Sequence, residues 1–138
     1  MAKIFTAPFA QTLKCATTAS TQACIIGSAD APTNAMLLVS TSLEDVIVTG
    51  ISAIPRGTVS ATSLLLFISG DGGTTKRLID SALMPAYSLQ ASTANPRADF
   101  VKYSEMTPLR MSAGDSLYVG AGVASASGIV FKAEYTIF

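Results

Sequence analysis

The chain has 138 residues, 49% hydrophobic and 13% charged, with nine Lys plus Arg against nine Asp plus Glu, two cysteines, four tyrosines and neither histidine nor tryptophan. A chain of this length makes one domain that buries about two-thirds of its unfolded surface without metal or disulfide staples. Its balanced charge excludes the basic field of a nucleic-acid or anionic-membrane binder, and the missing histidine removes most general-base and many zinc schemes.

Residues 2–34 are rich in Ala, Thr and Ser and contain Pro8 and Pro32. They read either as an extended arm with one or two short strands or as a pair of ordinary outer strands, with Ile4, Phe5, Phe9, Leu13, Ile25 and Ile26 as anchors. Lys14 interrupts before an apolar core of signal-peptide length forms, so no secretion signal is expected. No run approaches the roughly 18 apolar residues of a membrane helix. Cys15 and Cys24 are close enough in sequence for a small disulfide loop, but small flanking residues favour buried free thiols, and they lack the partners of a zinc site.

From Ala35 onward the chain reads as strands. Ala35 to Ser40 is a short apolar run, and Val46 to Ile54 alternates until Pro55 and Gly57 break it. In Thr58 to Ser69, Leu65 and Phe67 share one face while Leu64, Leu66 and Ile68 share the other, so both faces of its second half are expected to be buried. Ser69-Gly70-Asp71-Gly72-Gly73 is a hairpin signal, because Gly accepts positive φ and Asp bonds its own backbone. Its second strand, Thr74 to Met84, places Arg77, Ile79, Ser81 and Leu83 on one face and Leu78, Ala82 and Met84 on the other.

Ser88 to Lys102 is polar and reads as the longest loop; Met106 to Ser112 resumes an extended path. After a turn at Ala113-Gly114-Asp115, Ser116 to Val123 alternates, and Ser125 to Gly128 leads into a closing strand that lines up Phe131, Ala133, Tyr135 and Ile137. No capped amphipathic helix is legible. The fold class is therefore all-β: a single antiparallel β-sandwich, jelly-roll-like, with an extended N-terminal arm. Residues 1–34 are assigned to the arm and outer strands, and 35–138 to the sandwich.

Several motifs carry chemistry elsewhere. Gly114-Asp115-Ser116-Leu117 spells the nucleophile block of the GDSL esterases, but a nucleophilic serine needs a base and this block lies between two strands, so it reads as a turn. Gly70 to Gly73 lacks the Lys-Ser/Thr and helix start of a phosphate loop, and Asp71 lacks the dense acidic spacing of a calcium loop. Glu44 and Asp45 read as a solvated acidic pair, and Lys76 and Arg77 as a solvated strand end. Tyr87, Tyr103, Tyr118 and Tyr135 could stack a sugar, but fit sheet or interface positions better. No catalytic, metal or cofactor site is expected.

Three blocks are similar to the β-sandwich modules of small tailed-phage virion proteins: Ser63-Leu64-Leu65-Leu66-Phe67-Ile68-Ser69-Gly70-Asp71-Gly72-Gly73; Arg77-Leu78-Ile79; and Met111 to Val119 followed by Val130-Phe131-Lys132-Ala133-Glu134. The resemblance spans residues 58–138. It implies a non-enzymatic structural component of a virion, assembled in the bacterial cytoplasm: a capsid decoration or cement protein, or a fibre or tail module that binds a receptor or glycan. The implied partners are the major capsid protein or another virion protein, and further copies of the chain, as a homotrimer; neither nucleic acid nor membrane is expected. Low charge agrees with an associating surface. Ile4, Phe5 and Phe9, the large apolar groups of a small-chained segment, are the expected attachment residues.

Overall fold

The structure is a computed structural model and describes residues 12–27, 29–41 and 44–137. Among the described residues it is all-β, with nine strands: β1 (Thr12–Ser20), β2 (Met36–Ser40), β3 (Val46–Pro55), β4 (Thr62–Ser69), β5 (Arg77–Met84), β6 (Ala98–Asp99), β7 (Leu109–Met111), β8 (Ser116–Ala121) and β9 (Ile129–Ile137). None of the described residues forms a helix long and apolar enough to cross a membrane.

Two antiparallel sheets pack face to face. One has the order β1-β9-β3-β6, with β7 also on β3; the other has the order β2-β8-β4-β5. Early strands thus lie beside late ones in both sheets, the nested wrapping of a jelly roll. β6 and β7 occupy successive stretches of one lane, β6 against Ser52 and Ala53 and β7 against Val46 to Val48. Residues 101–108 leave that lane and return to it.

The core follows from period-2 alternation. Phe131, Ala133 and Ile129 of β9, Val48 and Ile51 of β3, Leu64 and Leu66 of β4, and Leu117 and Val119 of β8 meet between the sheets with Met84 and Phe100. Each large side chain removed from water there contributes about 1.5–3 kcal/mol before conformational entropy is subtracted.

Both faces of β4 are buried, as its doubly apolar sequence predicts: Leu64, Leu65, Leu66 and Phe67 are all under 5% exposed. The second face is covered within the chain. The connection from β1 to β2 crosses the outer side of the β2-β8-β4-β5 sheet as a strap, placing Cys24 on Leu65 and Phe67 beside Ala35 and Tyr118. The Cys24 amide donates to the Ala121 carbonyl at 2.7 Å, and the Lys76 amide to the Asp30 carbonyl at 2.7 Å. Asn34 Nδ2 donates to the Ala23 carbonyl at 2.9 Å.

Three readings of the sequence need correction. Residues 58–61 do not extend β4; Val59 instead forms an isolated bridge with Tyr87, just ahead of the region Ser88 to Lys102 read as one loop. That region also contains β6, whose two residues are recruited by β3 rather than by their own propensity. In β5 a bulge at Ile79 shifts the register between Leu66↔Asp80 and Phe67↔Leu78. The extra residue turns Leu78 outward with Phe67 and Asp80 inward with Leu66, so the expected faces exchange at that end.

Candidate functional site

Ile4, Phe5 and Phe9, the expected attachment residues, lie outside the described residues. The other motifs can be placed. Ser116 opens β8 between Ser40 and Ser69 of the flanking strands and is 6% exposed. Ahead of it, Gly114 adopts φ +94°, Asp115 Oδ2 accepts the Ser112 amide at 3.0 Å, and the Asp115 carbonyl accepts the Thr41 hydroxyl at 2.9 Å. The block is a turn stitched to the end of β2, as the sequence suggests.

The glycine-rich hairpin is similarly occupied with its own structure. Asp71 Oδ1 accepts the Ser69 hydroxyl and the Thr75 amide, each at 2.9 Å, and Ser69 Oγ accepts the Gly73 amide at 2.9 Å. The Thr75 amide, followed by the Ser69 hydroxyl, holds the Asp71 carboxyl below the usual carboxylate range. Lys76 Nζ donates to the Gly73 carbonyl at 2.6 Å and lies 4.8 Å from the centre of the Tyr118 ring. Arg77 reaches Asp30 at 3.3 Å. The adjacent basic pair therefore ties the strap and hairpin to the sheet. Asp45 Oδ1 accepts the Ala113 amide at 3.1 Å.

The four tyrosines are not brought together as a platform. Tyr118 lies under Lys76 on one outer face, while Tyr87 donates its hydroxyl to Asn95 at 2.9 Å. Tyr103 packs near the core, where burial and then the Asp80 charge push its phenol up. Tyr135 belongs to the opposite sheet.

The outer face of β1-β9-β3 carries no strap among the described residues, while Leu37, Leu78 and Leu83 stay exposed on the other sheet. Because Phe131 and Ala133 point inward, Val130, Lys132, Glu134 and Thr136 point out. Their partners are Ala19, Thr17, Cys15 and Leu13 on β1, and Ile54, Ser52, Gly50 and Ile47 on β3. These side chains are mainly small or apolar, and the central charges neutralise each other through Lys132 Nζ and Glu134 Oε1 at 3.1 Å. A Cβ built on Gly50 meets nothing within 4 Å.

A groove of about 600 Å³ runs over one end of this face, lined by Leu13, Lys14, Cys15, Thr49, Glu105, Glu134, Tyr135 and Thr136. Its volume falls in the range of small-ligand and side-chain clefts. Glu105 enters from the 101–108 excursion, whose tip is tied by reciprocal Ser104 and Thr107 backbone bonds at 3.3 and 3.2 Å. The Thr107 hydroxyl adds a bond to the Lys102 carbonyl at 2.8 Å. This turn holds Met106 at 90% exposure, and Val101 at its base is 82% exposed.

Sequence reasoning names Leu13 as an anchor but misses Val101 and Met106 as exposed apolar residues, because single apolar residues in polar surroundings carry no periodic signal. Among the described residues no group of three or more His, Cys, Asp or Glu side chains is placed to hold a metal ion. Comparison of the chain with family models, with curated proteins and with solved structures gives no match.

Proposed function

We propose that this chain is a non-enzymatic virion structural protein: a decoration protein that binds the outer surface of a phage head as a homo-oligomer, a trimer, and stabilises it. The resemblance of residues 58–138 to small tailed-phage modules is the starting point. Jelly rolls recur in viral capsid and lectin domains, which is an analogy of fold and not of site. The observation that carries the reading is surface chemistry. In a chain with 13% charged residues, Leu13, Leu83, Val101 and Met106 are 68–90% exposed on or between strands of a well-packed sandwich. Such a surface favours association, whereas a catalytic site would require converging ionisable groups.

The test is co-sedimentation of the purified protein with phage heads that lack it, followed by heating of the decorated particles. Saturable binding that raises the temperature of head rupture is expected. Deleting residues 2–10, and with them Ile4, Phe5 and Phe9, should leave the circular dichroism unchanged and weaken head binding. Each of those side chains could contribute about 1.5–3 kcal/mol if fully buried, before the cost of ordering the segment. Failure of the intact protein to bind any head surface would overturn the proposal; equal binding by the truncated protein would move the attachment site elsewhere.

A further inference from the structure

We propose that Asp80 is a latch: its buried carboxylate holds Lys102 across one edge of the sandwich and so sets the pose of the 101–108 turn, with Glu105 as a wall of the groove. The inference stands on side-chain geometry and does not depend on the function proposed above.

β5 is the edge strand of its sheet, and β6 lies at the edge of the other. Along β5 the inward row is Asp80, Ala82 and Met84, so alternation delivers a carboxylate to the same side as a fully buried methionine. The Asp80 side chain is 5% exposed. A charge removed from water to that degree needs partners, because its lost hydration is not repaid by apolar surroundings. Two are present. The Ser81 amide donates to Oδ1 at 2.8 Å, and Lys102 Nζ reaches the same oxygen at 3.3 Å from the segment that follows β6.

The turn has little else to hold it. Phe100, 2% exposed and bonded through its amide to the Ile51 carbonyl at 3.0 Å, fixes one end, and the pairing of Leu109 with Val48 fixes the other. Between them, among the described residues, the hydrogen bonds of 101–108 run only within residues 100–107. They shape the turn without tying it to the sandwich. The Lys102–Asp80 ion pair is its polar tie to another element, and the packing of Tyr103 on the core is its apolar one. With the pair broken, the turn swings on Phe100 and Leu109 and takes Glu105 away from Thr49 and Glu134, which share the groove with it. The groove is then open on that side.

Hydrogen exchange at neutral pH tests the latch, read as the rate for residues 101–107 relative to that of β9. Asp80→Asn keeps an acceptor for the Ser81 amide and removes the charge. Because the Lys102 side chain is 70% exposed, the relative rate should rise by about tenfold, between the roughly fivefold of an exposed pair and the roughly hundredfold or more of a fully buried one. Lys102→Met should free the turn likewise and lower the urea midpoint more than Asp80→Asn does, because it strands the carboxylate without its cation. The double variant should recover the midpoint while the turn stays fast. A relative rate unchanged from wild type in both single variants would show that the turn's own bonds hold it, or that Asp80 serves the fold as a whole. Either that result or a double variant as weak as Lys102→Met overturns the latch.

Discussion

Cys15 and Cys24 have similar small neighbours, yet the fold gives them opposite chemistry. Both are free; Cys15 is exposed, because it faces outward on the edge strand opposite Glu134, while Cys24 is 3% exposed beneath the strap. Burial pushes the Cys24 thiol up, which lowers its thiolate fraction as well as its access. A disulfide-exchange reagent at neutral pH should therefore titrate one of the two thiols in the native protein and the other only on unfolding. Equal labelling rates would contradict the placement of the strap. The expectation of buried free thiols holds for Cys24 and fails for Cys15. Its failure has a plain cause: which face of β1 a residue occupies depends on pairing with β9, over a hundred residues away in the chain.

Local chemistry governs the β4–β5 hairpin, which makes it the element most legible in the sequence. Ser69, Asp71 and the positive-φ Gly72 and Gly73 build it from bonds spanning at most four residues. Since the folded-state pKa of Asp71 lies below its unfolded value, its contribution is fully present above the unfolded pKa. That contribution is lost as pH falls through the folded one. In urea unfolding, the advantage of the wild type over Asp71→Asn should shrink on acidification through and below the ordinary carboxylate range. A difference that stays constant to the acid limit would show that the carboxylate does not hold the turn. The effect should be small and weakened by salt, because the group is fully exposed. β6 and the Ile79 bulge lie at the other extreme. Two residues paired through β3, and one extra residue opposite Leu66 and Phe67, leave no periodic trace for a sequence window to find.

At the scale of the whole molecule, the apolar alternation fixes a two-sheet sandwich, but the strap decides that Leu65 and Phe67, on its outer side, are covered. β8 carries Gly120 where an ordinary strand would carry a larger side chain, and read alone it suggests weakness. Its use is clearance. A Cβ on Gly120 would lie 2.5 Å from Cys24 Cβ and 2.8 Å from its sulfur, so the strap can seal Leu65 and Phe67 only over a residue without a side chain. Gly120→Ala should therefore lift the strap. Overpacking at such a site costs about 1–3 kcal/mol, read as a lower urea midpoint with an unchanged slope. Displacement of Cys24 should also make its thiol reactive in the folded protein, which separates strap movement from general weakening. Gly50→Ala is the matched control on the other sheet, where an added Cβ has open space. It should leave both the midpoint and the thiol count close to wild type. If Gly120→Ala matches that control in both measurements, the strap does not lie on β8, and the outer face of β2-β8-β4-β5 is as open to partners as the face carrying the groove.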